Sequence, residues 1–334
     1  MSAGLADAHL SAAGYLESPR DGTLVDVLAR VAALAAKHGI VVARRLGAPP
    51  EHLGLDPALD ALVADRWAPS VLDGRLSGFR STRLCRTPAD VDRALDAATV
   101  DGAGWILLGD GLEPGLAVHA AVGARERELH VACEPGAATP EALRTGAIET
   151  VEGLVGLLVE PELRTAPPWE QVFSLATDGE AWRVRLAPVE AAGAAVVPLL
   201  IRTRRRSLLD EAVGGAGIAE LADILPYHRH LAGMRNPGAM RFGRRHANDH
   251  LGLPSLDREG RAAFSAGWKV VLAAMGQLVE SGVTLLGGSG APSLGVCPGY
   301  GLLEERRSWN AADLPDDVVA AAFAARTALH EVPA

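Results

Sequence analysis

Short runs rich in Val, Ile and Leu alternate along the chain with alanine-rich stretches in which apolar residues recur every three or four positions. The first pattern marks strands buried on both faces and the second marks amphipathic helices, so the alternation predicts βα units around a parallel sheet. The clearest strands end near Val42, Leu108, Cys133, Val151, Ile201 and Leu286, with weaker ones at residues 4–9 and around Phe79. Between them a helix is predicted over residues 24–37, opened by the Asp21-Gly22-Thr23 turn. A second runs over residues 88–97, with Thr87 as N-cap and Pro88 at the first helical position. A third covers residues 139–145 and closes at Gly146. Eight repeats in 334 residues predict an α/β protein of a single domain, residues 1–334, folded as a closed (β/α)8 TIM barrel. An open doubly wound sheet is disfavoured, because no GxGxxG follows a strand. The longer segment 207–262, between the seventh and eighth strands, predicts a helical lid with a loop at Asn236-Pro237-Gly238.

Composition narrows the partners. With 49% hydrophobic and 22% charged residues the chain has enough apolar material for a large core. A net charge of −9 and only 4% aromatic residues argue against nucleic acid, which asks for clustered positive charge or stacking platforms. No uninterrupted apolar run reaches spanning length and the N-terminus lacks a secretory layout, which predicts a cytoplasmic protein that is not a membrane partner. Cys85, Cys133 and Cys297 lack CxxC spacing, so neither disulfides nor a structural zinc site is expected. Between residues 202 and 250, nine arginines face five acids, against the acidic balance elsewhere.

In a barrel of this kind the chemistry sits at the C-terminal ends of the strands, and there the chain resembles a known family. Residues 4–14, GLADAHLSAAG, look like the first-strand pattern GLIDAHVHL of the amidohydrolase superfamily, in its imidazolonepropionase-like and prolidase-like branch. HGIVVARRLG at 38–47 resembles GVTTVRDLG, and AGWILLGDG at 103–111 is similar to the fourth strand, which carries a metal-bridging lysine in the family. LHVACEPG followed by GAIETVEG parallels VAVHAEG and GVDTIEHG, and VVPLL at 196–200 looks like VVPTL. GVTLLGGSGAPSLGVCPGYGLLEE at 282–305 resembles the eighth-strand pattern GVTLLAGTDAP and its PG-sl-EEL continuation. The resemblance implies an amidohydrolase-like TIM barrel. It also implies a dismantled metal centre: one histidine is kept as His9, while Ser11, Leu107, Cys133, Gly153 and Gly290 stand at the other ligand positions. Two good ligands are fewer than the three a catalytic zinc needs. The flanking β-sandwich of most relatives is expected to be missing.

The candidate chemistry is then drawn from strand-end residues: His9, Ser11, Arg44, Arg80, Asp110, Glu113, Cys133, Glu134, Glu152, Arg202 and Arg204. His9 is the natural acid/base, Cys133 a nucleophile or second acid/base, and Asp110 and Glu152 further acid/base candidates. Ser11, Arg80, Glu134, Arg202, Arg204, His228 and His230 are candidates for binding substrate, the arginines because their forks suit carboxylate or phosphate. His9 and Cys133 are expected to converge on one volume at the barrel mouth. The function these residues point to is metal-independent acid/base chemistry, by a lyase, isomerase or cyclase, on a small anionic substrate, with no cofactor and an oligomer allowed. Two alternatives stay open: a non-catalytic binding or scaffold pseudoenzyme, and a metal-dependent C–N hydrolase in which His9 is joined by relocated ligands from His228, His230, His246 and His250.

Overall fold

The computed structural model describes residues 4–11, 24–47, 54–63, 67–68, 71–74, 82–222, 225–235 and 253–324. Strands β1 (Leu5–Ser11), β2 (Ile40–Leu46) and β3 (Trp67–Ala68) form one parallel sheet. Strands β4 (Val71–Asp73), β5 (Thr82–Leu84), β6 (Trp105–Leu108), β7 (His130–Cys133), β8 (Ile148–Glu152) and β9 (Ala195–Val197) form a second, also parallel, in the order β5-β4-β6-β7-β8-β9. The late stretch 284–291 lies between the two. On one side it exchanges bonds with β9, Val196 N–H donating to Thr284 O and Leu286 N–H to Val196 O, both at 2.9 Å. On the other it meets β1, Ala8 N–H donating to Gly287 O and Gly290 N–H to His9 O, both at 2.8 Å. The result is a TIM-barrel-like α/β architecture.

The intervening helices are α1 (Leu24–Lys37), α2 (Pro57–Val63), α3 (Pro88–Val100), α4 (Pro114–Glu126), α5 (Pro140–Leu143), α6 (Leu154–Leu158), α7 (Pro168–Leu175) and α8 (Ala181–Ala192). After β9 come α9 (Leu200–Ser207), α10 (Leu209–Gly214), α11 (Ile218–Leu221) and α12 (Pro226–Met234), then α13 (Arg258–Glu280), α14 (Tyr300–Trp309) and α15 (Asp316–Ala322). Helix α1 buries Val27, Leu28, Val31, Leu34 and Ala35, a stripe of helical period that explains why this segment is helical at all. Helix α3 starts where the sequence predicts: Thr87 caps Asp90 N–H, and Asp90 reciprocates to the Thr87 amide. Helix α5 is capped by Thr139, whose side chain accepts Ala142 N–H, with Pro140 at the first helical position.

Helix α13 is long and apolar enough to cross a membrane by length and composition. Its buried residues Phe264, Gly267, Val271, Ala274, Met275 and Leu278 form one stripe against the protein interior. At Gly267 a side chain would run into the Val172 carbonyl of α7, so the backbones of the two helices approach closely there.

Two departures from the sequence reading bear on the site. The seventh strand ends at Val197 rather than near Ile201, so Arg202 and Arg204 belong to a helix, α9. The third-strand region is described as β3, β4 and β5, while Phe79 lies outside the described residues. Helices α10, α11 and α12 make the described part of the 207–262 segment largely helical up to residue 234, and the Asn236-Pro237-Gly238 loop lies outside the described residues.

Candidate active site

Strand alternation sorts the side chains. Ile106, Leu108, Val131, Cys133 and Val151 join the large core between strands and helices, whereas Leu107, Ala132 and Trp105 gather in a separate apolar cluster with Leu46, Ala68 and Val71. Beside that cluster lies a polar network. Arg44, wholly buried, donates from Nε to Ala8 O at 2.8 Å and from Nη1 to Thr150 Oγ1 at 2.9 Å. Its Nη2 pairs with Glu152 Oε1, and its guanidinium stacks 4.5 Å from the Trp105 ring centre. Thr150 Oγ1 donates to Glu152 Oε1 at 2.8 Å, and His9 Nδ1 meets Glu152 Oε2 at 2.8 Å.

The charge states follow. Burial pushes the Glu152 carboxyl up, but the Arg44 charge, the His9 bond and the Thr150 hydroxyl outweigh it and hold the group below its ordinary value. For His9, burial outweighs the Glu152 bond and charge, and the positive charges of Arg202 and Arg44 add to it, so the imidazole sits below its usual range. At neutral pH the pair is therefore an ionised Glu152 accepting from the Nδ1–H of a neutral His9. Asp7, at the other end of this layer, accepts Ser289 N–H at 2.9 Å, Ser289 Oγ–H at 2.5 Å and His9 N–H at 3.1 Å. Its burial outweighs these bonds and raises its pKa to about 6.

Above this network opens a polar cleft of about 230 Å³, below the roughly 300–1,000 Å³ common for drug-sized ligands and suited to a small metabolite. Its lining includes Asp110 after β6, Glu134 after β7 and Glu152 at the end of β8, whose carboxylate is buried in the network behind, together with Arg164, Arg202, Arg206, Thr203 and Gln171. The acids thus leave the C-terminal ends of consecutive strands, as the barrel geometry leads one to expect. Asp110 and Glu134 are tied together, the Asp110 amide donating to Glu134 Oε2 at 3.0 Å and Gly136 N–H to Asp110 Oδ1 at 2.6 Å. Asp110 is exposed as a residue, but the crowding of protein around its carboxyl, and then the neighbouring Glu134 charge, push its pKa up toward about 7 against the pull of Gly136 N–H and Arg164, a rise that the solvent reaching the group moderates.

The structure brings Asp110, Glu134, Glu152 and Arg202 into one cleft, and sets the other predicted residues elsewhere. His9 is 3% exposed and stands behind Glu152, not in the cleft wall. Cys133 faces the helix-packed core; burial and then the Glu152, Asp110 and Glu134 charges drive its thiol far up, so it is a protonated core residue and no nucleophile. His9 and Cys133 therefore do not face one another across an open mouth. Arg204 pairs with Glu211 and lies 5.5 Å from the Trp268 ring centre, outside the cleft lining. His228 and His230, two apart on α12, point to different sides: His228 is wholly buried, with its pKa pushed down to about 4, while His230 is exposed. Neither reaches the cleft. Glu113 caps α4 through Leu116 N–H at 3.2 Å. Arg80, His246, His250 and the Ser11 side chain lie outside the described residues. Arg164 and Gln171, which the sequence reading missed, stand between α6 and α7 and on α7, with no motif around them. Arg206 was visible only as part of the arginine run.

These residues do not fit a zinc centre at the positions the resemblance suggests. Leu107 is buried among apolar side chains and Cys133 faces away, so of the positions with a strongly ligating side chain only His9 is left, one where a catalytic zinc needs three. At Gly290 (φ +63°) a Cβ would lie 2.6 Å from Arg202 Cδ, so the space a ligating side chain needs holds the stem of an arginine. Where donors would converge on a cation there are instead two guanidinium groups, Arg44 and Arg202. Among the described residues no group of three His, Cys, Asp or Glu side chains is placed to hold a metal ion.

Compared with known proteins, the chain is similar in fold to several solved structures. They include a bottromycin amidohydrolase, 20% identical, covering 96% of this chain and 65% of its own, with a TM-score of 0.64. A putative prolidase from Bifidobacterium longum is 16% identical over 96% of this chain and 67% of its own, with a TM-score of 0.55. An ochratoxinase of A. niger is 14% identical over 98% of this chain and 70% of its own, also at 0.55. At such identities the likeness is one of fold, and the chain spans about two thirds of the length of these proteins. No sequence-family profile matches the chain, and no curated protein matches it in sequence.

Proposed function

We propose that this chain is an amidohydrolase-like enzyme that works without a metal, moving protons on a small anionic substrate held in the cleft. The observation that carries the reading is that one cleft is lined by Asp110, its pKa raised to about 7, and by Arg164, Arg202 and Arg206. A carboxyl poised near neutrality can both give and take a proton within one cycle. Arginine forks bind carboxylate or phosphate and stabilise the enolate or oxyanion that proton removal creates. Asp110 is thus the acid/base, Arg202 and Arg206 anchor the anion, and the Glu134 charge adds to the crowding that raises the proton affinity of Asp110. His9 takes no direct part; it supports Glu152 from behind. Isomerisation, dehydration, cyclisation or decarboxylation fit this equipment, whereas zinc-type hydrolysis asks for a Lewis acid and a metal-activated water that these side chains are not arranged to hold. The bonds from residues 284–291 to both β1 and β9 favour a closed barrel as the frame.

The test is incubation with a panel of small carboxylates and phosphate esters in D₂O containing EDTA, followed by NMR. Deuterium incorporation or product formation by the wild type, reduced about 10²- to 10⁴-fold in Asp110→Asn, is the expected outcome. Turnover that demands added zinc would return the protein to the hydrolases, and tight binding without turnover would make it a binding protein.

A further inference from the structure

We propose that Glu305 is a positioning residue for the cleft: by gripping the first turn of α9 it keeps Arg202 in the space over Gly290. The proposal rests on the reading of the cleft as an anion site. Helix α9 starts abruptly, from Leu199 in the left-handed region (φ +53°), and none of its own side chains caps it. The amides at such a start need acceptors from elsewhere. Leu200 N–H donates to Glu305 Oε1 at 3.0 Å and Ile201 N–H to Glu305 Oε2 at 2.7 Å. Trp309 Nε1–H donates to Oε1 at 3.0 Å, and Glu305 itself is wholly buried on α14. The preceding residue, Glu304, accepts Arg205 Nη2–H at 2.7 Å and Ala216 N–H at 3.3 Å.

Two consecutive residues of α14 therefore hold the start of α9 and the side chain of Arg205. Positions 202, 203 and 206 then share the opposite face and line the cleft. At Gly290 a Cβ would lie 2.6 Å from Arg202 Cδ and 3.3 Å from both its Cβ and Cγ, so the arginine stem fits only because that strand end carries no side chain. The Arg202 charge acts from there on His9. With eight residues, α9 has too few internal bonds to hold this placement alone. Glu305 does not line the cleft, so its influence passes through the helix it anchors.

The experiment compares ring-nitrogen NMR signals of His9 at one fixed pH in wild type, Arg202→Ala, Glu305→Gln and Glu305→Ala, together with calorimetric binding of inorganic phosphate. Both Glu305 variants are expected to move the His9 signal in the direction Arg202→Ala moves it. Glu305→Gln, which keeps one acceptor oxygen, moves it less. Phosphate affinity is expected to drop about ten-fold in Glu305→Ala, the worth of one charged hydrogen bond. A His9 signal and a phosphate affinity that Arg202→Ala changes and folded Glu305 variants leave alone would overturn the proposal. If wild type binds no phosphate, the anion reading falls by itself and the His9 signal alone decides: coincident shifts uphold Glu305 and an unmoved signal rejects it. Should Glu305→Ala fail to fold, Glu305→Gln carries the comparison.

Discussion

Arg44→Met removes a buried cation while keeping much of its apolar bulk beside Trp105. What it leaves behind is Glu152, wholly buried, still bonded to Thr150 and His9 but without its counter-charge. Breaking one side of a buried ion pair costs about 3–5 kcal/mol, because the remaining charge is uncompensated. For 334 residues the unfolding entropy is roughly 0.7 kcal/mol per kelvin, so the melting temperature should fall by about 4–7 °C. Wild-type Glu152 lies below its ordinary pKa, so its contribution is present above about pH 4.5 and is lost as the pH falls through the folded value. In the variant the Glu152 pKa rises, and the gap from wild type is widest at neutral pH and closes on acidification. Urea unfolding followed by circular dichroism at pH 7.5 and pH 4 reads this directly. Arg44→Met/Glu152→Gln should recover part of the loss, since no charge is then stranded. A loss below about 1 kcal/mol at neutral pH, or a double variant as unstable as the sum of the singles, would refute the account.

Asp110→Asn should match wild type in urea near pH 4 and outlast it at pH 8. The raised Asp110 pKa of about 7 means that the wild-type group supports folding fully below its unfolded value and loses that support as pH rises through 7; a gap that does not grow with pH would count against it. Cys85, Cys133 and Cys297 are all buried and should resist a thiol reagent such as DTNB until the protein unfolds, and fast labelling of Cys133 in the native protein would reopen its case as a nucleophile. Gly267→Ala should cost about 1–3 kcal/mol by forcing α13 off the Val172 carbonyl, as judged by its denaturation midpoint, and a neutral effect would mean the helices are not in contact there.

The sequence was most legible where a local rule acts alone. Helix α1 could be read from its apolar stripe, and the start of α3 from Thr87 and Pro88, because capping and periodicity need only neighbours. The apolar run at 195–201 was harder, since a short apolar stretch reads equally as strand or helix; the chain leaves β9 at Val197 and turns into α9. Cys133 was misplaced for a related reason. A strand buried on both faces has no polar alternation to reveal which residues point inward, and one position separates the core-facing Cys133 from the cleft-lining Glu134. Arg44 and Glu152 stood among the strand-end candidates, but 108 residues separate them and nothing local foretells their pairing. Arg164 carried no signal, because only the path of the chain after α6 brings it to the cleft.

The occupied space at Gly290 also makes the site difficult to reverse by single steps. A carboxylate there would collide with the Arg202 stem and demand a left-handed backbone that side-chain-bearing residues avoid. Arg202 would have to shrink first, and that change alone strips the cleft of one of its cations. Each single substitution toward a metal-binding constellation thus passes through a protein that has neither the arginine-based site nor a metal site. Any engineer seeking to graft a cation centre onto this fold must rebuild positions 202 and 290 together.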